Sequence, residues 1–115
     1  MAVERVWKSW GYEEILHNGE YCCKKLVYTK HIASSMHYHD TKHETFVVGA
    51  GSFIIETAKE LRERTKQSRL AVSGSFVILP PGMTHRIRCV ELGFLVEAST
   101  PDDPLDCVRL EASET

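Results

Sequence analysis

The sequence has no uninterrupted apolar run that approaches the roughly 20 residues of a membrane-spanning helix. Its first residues carry charges at Glu4, Arg5 and Lys8, so they lack the apolar centre of an export signal. Of the four cysteines, Cys22 and Cys23 are adjacent and therefore lack the spacing of a zinc motif. We expect a cytoplasmic protein with reduced thiols and no membrane partner.

The chain also carries little net charge. Its 14 basic and 16 acidic residues give a formal charge of −2, which provides no general attraction to nucleic acid. The most basic stretch, Lys59–Arg69, is interrupted by Glu60 and Glu63. We interpret it as a solvated loop, and we expect no nucleic-acid partner.

Neither length nor composition indicates more than one domain. The 115 residues are 43% hydrophobic and 26% charged, close to the average of globular domains. We expect a single domain over residues 1–115, with a core at about 20–100. The flanks are then an N-terminal arm at 1–19 and a C-terminal segment at 101–115.

Helical periodicity is scarce, and short β-rich segments take its place. Several segments rich in β-branched and aromatic residues are each bounded by Gly, Pro, Ser or Asn, which predicts strands. They cover residues 21–28, 44–49, 52–57, 69–73, 75–79, 85–90 and 93–97. Glu56–Lys66 is rich in helix formers, but its few apolar positions favour a hairpin loop or one exposed helical turn. The pattern is typical of an all-β sandwich or barrel.

Three of the six histidines stand in a pattern that suits a metal ion. His37 and His39 are two residues apart, so on a strand both side chains point to the same face. We interpret the polar residues 40–43 as a hairpin connection. Glu44 then begins the next antiparallel strand, across from the histidines, and Phe46 shares its inward face.

A fourth ligand comes from the second half of the chain. Pro80-Pro81-Gly82 reverses the chain sharply, because proline fixes φ and glycine permits a positive φ. His85 then leads a new strand, on which Ile87 and Cys89 face inward with it. The four candidate ligands are His37, His39, Glu44 and His85. Three imidazoles and one carboxylate suit one divalent ion of Zn, Mn, Fe, Ni or Co.

The spacing of these residues resembles the two sequence motifs of the cupin superfamily. The first motif is G-x5-H-x-H-x3,4-E-x6-G, and the chain has His37, His39, Glu44 and Gly51 at the corresponding positions. It departs from the motif at the leading glycine, where His31 stands.

The second cupin motif, G-x5-P-x-G-x2-H-x3-N, is matched by Gly74, Pro80, Gly82 and His85, whereas Cys89 replaces the final Asn. The resemblance implies the cupin fold, an all-β double-stranded β-helix or jelly-roll barrel. It also implies that the four candidate ligands hold one metal ion. The Asn that Cys89 replaces is a polar group of the pocket and not a metal ligand.

Both flanks resemble mannose-6-phosphate isomerase-like cupins, which include the type II isomerase domain fused to sugar nucleotidyltransferases. Lys8–Glu13 is similar to their (R/K)-P-W-G-x-(Y/W)-E opening, and Lys24–Val27 to the K-x-L-x strand that follows. Glu97–Thr100 and Asp106–Leu110 are similar to their E-x-S/Q and D-D-I/V-x-R-L/F close. These isomerases commonly carry Gln two residues before the first motif histidine, where this chain has Ser35.

The isomerase resemblance implies a base and substrate-binding cations beside a metal that polarises the carbonyl of an open-chain sugar. Lys24, Glu97 and Arg109 are the candidate catalytic residues. Lys24 and Arg109 are also the candidates for binding a phosphate, and Trp10 is a candidate wall against the face of a sugar. Arg86 neighbours a ligand on the same strand, so its side chain is expected outside the barrel.

Three functions remain open from the sequence. The first is an aldose–ketose or sugar-phosphate isomerase, the second an Fe(II)-dependent dioxygenase, and the third a non-catalytic binder of a sugar or other metabolite. Cys89 disfavours the second, because a thiol beside activated oxygen is liable to oxidation. In each case the partner is a small molecule, expected to be sugar-like.

We expect a homodimer, because small cupins often pair through edge strands that would otherwise stay open to association. The N-terminal segment Met1–Trp10 holds Val3, Val6 and Trp7 as well as Trp10, which is a large apolar surface for a chain end. This surface either contacts a partner or caps its own barrel.

Overall fold

The computed structural model describes residues 3–58 and 66–115, and these residues form strands, turns and loops without a helix. The strands are β1 (Glu4–Lys8), β2 (Gly11–Asn18), β3 (Cys22–Tyr28), β4 (Met36–Tyr38), β5 (Glu44–Ala58), β6 (Gln67–Val72), β7 (Phe76–Leu79), β8 (Thr84–Ser99) and β9 (Val108–Glu111). The prediction of an all-β protein is confirmed.

The strands form an antiparallel sheet that curls around a hydrophobic core. Its path runs β1–β2–β3–β8–β4–β9, and β5 joins the path at β8 and carries β6 and β7. β8 is central, since it pairs with β3, β4 and β5. The core includes Tyr28, Phe46, Phe53, Ile87 and Leu95, all on inward faces of these strands.

Alternating burial in β3 brings a charged residue inside the barrel. Cys22, Leu26 and Tyr28 are buried, and Lys24 lies on the same face. Because successive side chains of a strand point to opposite faces, the packing of the three neighbours directs the Lys24 side chain inward. Lys24 is therefore buried inside the barrel together with its apolar neighbours.

β5 and β8 are longer than the sequence predicts, because the predicted breaks are bends within continuous strands. Segments 44–49 and 52–57 join in β5, and segments 85–90 and 93–97 join in β8. The β5–β8 register shifts where these segments meet. Gly51 has a φ of 79°, and a Cβ at Gly93 would lie 2.0 Å from the Ala50 carbonyl oxygen. The two glycines thus allow the paired strands to bend without ending.

The N-terminal residues extend the same sheet, because β1 pairs with β2 and β2 pairs with β3. Trp10 follows β1, is buried, and stacks on Tyr28 with ring centroids 4.3 Å apart. Trp7 on β1 is 66% exposed. Trp10 therefore caps its own barrel, whereas Trp7 stays on the surface.

The C-terminal segment lies beside the candidate ligands, because β9 pairs with β4. The Asp106 carboxylate accepts hydrogen bonds from the backbone N–H of Asp40 at 2.7 Å and of Lys42 at 3.0 Å. It also accepts one from the Thr41 hydroxyl at 2.7 Å. These bonds fix the loop that connects β4 to β5.

Two predictions concern residues 59–65, which lie outside the described residues: most of the solvated loop at Lys59–Arg69 and most of the possible helical turn at Glu56–Lys66. Residues 56–58 of the second segment end β5 instead. Across the part of the chain that is described, no helix is long and apolar enough to span a membrane.

Candidate metal centre

Three histidines converge at one end of the barrel. His37 lies in β4 and pairs across the sheet with His85 in β8, and His39 follows directly after β4. The ligand nitrogens of the three residues all lie within 4.8 Å of one another. The strand register therefore brings together residues that are far apart in the sequence.

Each of the three imidazoles has its Nδ1 engaged by a backbone carbonyl. The acceptors are Ser35 for His37, Asp106 for His39 and Met83 for His85, at 3.1 Å in the first and third pairs. A carbonyl only accepts a hydrogen bond, so an Nδ1 bonded to one carries the hydrogen and its Nε2 keeps the lone pair. The Ser35 hydroxyl oxygen also lies 3.0 Å from Nδ1 of His37, where it can accept the same hydrogen. This arrangement is the one that orients imidazoles for metal binding through Nε2.

Burial keeps two of the rings neutral. Burial, assisted by the charge repulsion of the neighbouring histidines, lowers the pKa of His37 to about 3 and the pKa of His85 to about 4. A metal ligand must be deprotonated. Both rings therefore present a free nitrogen lone pair at neutral pH.

Glu44, the first residue of β5, directs its buried carboxylate at two of the rings. Its Oε1 lies 3.6 Å from His39 Nε2, and its Oε2 lies 3.4 Å from His85 Nε2. Oε2 is buried and has no hydrogen-bond partner among the described residues. Burial, reinforced by Glu97, raises the pKa of the Glu44 carboxyl.

Oε2 of Glu44 and Nε2 of His85 are both acceptors, so a cation or a proton between them is needed to make this buried contact favourable. The donor set of three imidazole nitrogens and one carboxylate suits a divalent transition metal. His37, His39, Glu44 and His85 therefore fit such an ion.

A lysine that the sequence interpretation assigned to a polar connection lies beside these ligands. Lys42 Nζ is 2.7 Å from Glu97 Oε2, 2.8 Å from Asp102 Oδ1 and 3.3 Å from Glu44 Oε1. Its side chain is only 3% exposed. The sequence contains one indication of this position, namely spacing. Lys42 stands two residues before Glu44, so an extended chain places both side chains on the same inward face.

The candidate catalytic residues Lys24 and Glu97 lie on the same side of the cavity, facing each other across the β3–β8 ladder. Lys24 Nζ is 3.0 Å from Asp102 Oδ2 and 3.5 Å from Glu13 Oε2. Glu97 Oε2 accepts hydrogen bonds from Lys42 and, at 2.8 Å, from the Ser99 hydroxyl. Lys24 and Glu97 are thus brought together with the candidate ligands around one cavity.

The cavity has a volume of about 420 Å³. The histidines and Glu44 line one side, and Lys24, Lys42, Glu97 and Asp102 line the other. Trp10 forms part of the wall, and Arg109 in β9 lies at the mouth, where it is exposed and pairs in register with His37. Arg109, the third candidate catalytic residue, is therefore near the candidate metal centre but more exposed than Lys24 and Glu97.

Three expectations about neighbouring residues need correction. β4 pairs with β8 and β9 and not with β5, so Glu44 reaches the histidines from a non-adjacent strand. Arg86 points away from the cavity as expected, but it is buried beneath the C-terminal segment, donating to the Ala112 carbonyl at 3.0 Å. Cys89 belongs to the hydrophobic core and does not line the cavity, whereas Cys107 does.

No protein-family model and no curated protein matches the sequence at a significant level. Solved structures match it over nearly the whole chain. The capsular polysaccharide assembling protein CapF from Staphylococcus aureus has a TM-score of 0.81 and 19% identity, over 97% of this chain and 33% of that chain. Oxalate decarboxylase from Bacillus subtilis has a TM-score of 0.77 and 14% identity, over 94% of this chain and 30% of that chain.

Both neighbours are cupins, so the jelly-roll prediction is confirmed and the protein has the cupin fold. The three-histidine group adds a site that suits a metal ion. The chain spans about a third of the length of the solved chains that it matches. Mn(II) centres are described for the Bacillus subtilis oxalate decarboxylase.

Proposed function

We propose that this cupin binds one divalent metal ion through His37, His39 and His85, with Glu44 as the fourth ligand, and acts on a small polyhydroxylated ligand as an aldose–ketose isomerase. The observation that carries the proposal is the convergence of three Nε2 lone pairs beside a wall of buried carboxylates and ammonium groups. The isomerase-like flanks and the polysaccharide-assembling neighbour CapF support the choice of a sugar.

A bound divalent ion would polarise the carbonyl and adjacent hydroxyl oxygens of an open-chain sugar. Glu97 is the proposed base, because its carboxylate lines the cavity and is fixed by Lys42 and the Ser99 hydroxyl. It takes the proton from C2 and returns it to C1, while the hydroxyl proton on O2 passes to O1. The aldose thereby becomes a ketose of unchanged composition.

The cavity suits a ligand of monosaccharide size. Its volume of about 420 Å³ is near the lower end of small-molecule sites, roughly 300–1,000 Å³. Trp10 lines it and is held by stacking on Tyr28. Its aromatic surface is apolar, so it suits the C–H face of a sugar.

A dioxygenase is the second candidate. Cys89, the thiol expected beside the activated oxygen, lies in the hydrophobic core instead. Cys107 lines the cavity and is exposed. Its thiol would be open to oxidation during oxygen chemistry, so we keep the isomerase in first place.

The test begins with metal analysis of the purified protein and continues with NMR of free and phosphorylated aldoses in D2O. We expect about one metal ion per chain and conversion of an aldose to a ketose with solvent deuterium on carbon. Glu97→Gln should keep the metal and abolish conversion. Oxygen uptake without isomerisation would favour the dioxygenase, and saturable binding without turnover would favour a non-catalytic binder.

We also propose a homodimer. Trp7 is exposed on the edge strand β1, and the outer faces of β6 and β7 expose Leu70, Phe76 and Ile78. Exposed apolar residues grouped on one face mark association surfaces. Light scattering at micromolar concentration should give twice the 13.1 kDa of one chain, and a value near 13.1 kDa would contradict the dimer.

A further inference from the structure

Resting on the proposed function, we infer that the cavity selects an uncharged polyhydroxylated ligand over a phosphorylated one, and that Asp102 sets this selectivity by occupying both buried lysines. The inference changes the role expected for Lys24. A phosphate-binding lysine needs a free ammonium group, and the Lys24 ammonium is already bound.

Asp102 bridges the two lysines with its two carboxylate oxygens. Its Oδ2 lies 3.0 Å from Lys24 Nζ, and its Oδ1 lies 2.8 Å from Lys42 Nζ. Partial burial raises the pKa of the Asp102 carboxyl, but the hydrogen bonds from Lys42 and Lys24 outweigh burial and hold this pKa at about 2. The bridge is therefore charged at every pH at which the protein would work.

Each lysine has further anionic neighbours. Glu13 lies 3.5 Å from the Lys24 ammonium, and Glu97 lies 2.7 Å from the Lys42 ammonium. Burial opposes the charge on Lys24, but Glu13 and Glu97 outweigh it and raise the pKa of that amine. Each ammonium group is thus paired with at least two carboxylates, and neither is free to bind a phosphate.

The charges inside the cavity leave no surplus of positive charge. Four carboxylates, from Glu13, Glu44, Glu97 and Asp102, face the two ammonium groups, and a divalent ion would bring the sum to zero. A phosphate dianion would add two negative charges close to these carboxylates in a partly buried site, where repulsion is weakly screened.

The mouth of the cavity does not change this balance. Its exposed cations are Lys8 and Arg109, and its exposed acids are Glu4 and Asp103. Exposed charges interact weakly because water screens them. The Arg109→Ala variant separates phosphate binding at the mouth from phosphate binding inside the cavity.

A neutral polyol fits the cavity better. Its hydroxyl groups can donate hydrogen bonds to the carboxylates of Glu13 and Glu97, and they can accept one from the third N–H of the Lys24 ammonium, which pairs with only two carboxylates. It brings no charge that would compete with the Asp102 bridge. The cavity thus presents many hydrogen-bonding groups without a free anion site.

The test is calorimetry of the metal-loaded protein with mannose and with mannose 6-phosphate. Wild type should bind mannose at least tenfold more tightly than its phosphate. Asp102→Asn removes one charge and releases Lys24, so its affinity for mannose 6-phosphate should rise at least tenfold, while its affinity for mannose changes less than threefold. Asp102→Ser tests the same point if the Asn variant does not fold.

Asp103→Asn is the matched control. Asp103 also lines the cavity, but its carboxylate accepts a hydrogen bond from the Leu105 backbone N–H at 3.0 Å and contacts neither lysine. The substitution removes the same charge and should change both affinities less than threefold. An equal gain in phosphate binding for both variants would show that net charge alone decides, and would overturn the role of Asp102.

Tighter binding of mannose 6-phosphate than of mannose to wild type would overturn the inference while leaving the proposed function intact. Loss of that binding in Arg109→Ala would then locate a phosphate site at the mouth. If neither sugar binds the metal-loaded protein at millimolar concentration, the proposed function fails and the inference fails with it.

Discussion

One cavity has two sides of opposite character. The histidine side, formed by His37, His39 and His85, has its ligand nitrogens within 4.8 Å of one another, and each Nδ1 is bonded to a backbone carbonyl. The lysine side, formed by Lys24, Lys42, Glu97 and Asp102, is fully charged, and each of its cations is bound to an anion. The comparison teaches that a buried polar group without a hydrogen-bond partner marks where a ligand binds. A buried charged group that already has its partners instead restricts which ligands can enter the cavity.

Glu44 stands between the two sides. One of its oxygens contacts Lys42 and the other faces His85 without a hydrogen-bond partner. Its carboxylate is therefore shared between the ammonium group and the proposed ion. Substitutions on one side alone test whether metal binding and the ion pairs of the lysine side are independent of each other.

The largest expected effect is on the histidine side. Binding free energies of about 10–16 kcal/mol for structural zinc, divided over four ligands, give roughly 2.5–4 kcal/mol for each. His39→Ala should therefore weaken metal binding by a factor of at least about 100, measured by competition with a chromophoric chelator. His43→Ala is the control, because His43 is exposed and points to the opposite face of β5. Equal losses in both variants would show that the assignment of faces is wrong.

The second effect is a loss of stability in acid. The pKa values of His37 and His85 lie at about 3 and 4 in the folded protein, below the ordinary value of 6.5. Between about pH 6.5 and 4 the unfolded chain thus binds protons that the folded chain excludes, so the free energy of unfolding of the metal-free protein falls as the pH falls. One pKa unit corresponds to about 1.4 kcal/mol, which gives a loss of roughly 2 kcal/mol or more by pH 5.

Glu44 acts in the opposite direction, because its raised pKa lets the folded state take up a proton first on acidification. Glu44→Gln should therefore show a steeper loss of stability between pH 7 and pH 5 than wild type. Urea denaturation at the two pH values measures the difference. A shallower loss in the variant would contradict the assignment of neutral histidines and a protonatable carboxylate.

A smaller effect is expected from the lysine side. Lys42→Met removes a positive charge near the proposed ion and frees Glu44 from its ion pair, so metal affinity should rise by about tenfold. Because Glu97 loses a partner, folding is verified by circular dichroism. Lys30→Met, at an exposed position, should leave the affinity unchanged. A weaker metal affinity in Lys42→Met would show that the lysine supports metal binding instead of opposing it.

The sequence predicted the histidine side because short motifs and strand periodicity determine it. His37 and His39 share a face by spacing, and the Pro-Gly turn before His85 fixes where the next strand begins. These features are local, so a single sequence is sufficient to detect them. The alternation of Lys24 with Cys22 and Leu26 in β3 is a local pattern of the same kind.

The lysine side depends on contacts between distant segments, which local patterns do not reveal. Asp102 and Asp106 lie in the connection between β8 and β9, and they are fixed by hydrogen bonds to distant residues, Asp102 to Asn18 and Asp106 to the loop at 40–42. Lys42 was assigned to a polar hairpin connection, where a charged residue is usually exposed. Its burial requires the three carboxylates of Glu44, Glu97 and Asp102, which only the folded chain brings together.

The central claim is that one ion is bound through the Nε2 atoms of three histidines. Long-range ¹H–¹⁵N NMR of the zinc-loaded protein tests it directly, because the spectrum distinguishes the two ring nitrogens of every histidine. We predict one zinc ion per chain and three rings, those of His37, His39 and His85, with protonated Nδ1 and metal-shifted Nε2 resonances. Zinc-induced shifts at Nδ1, or rings that are unchanged by one equivalent of zinc, would contradict the account.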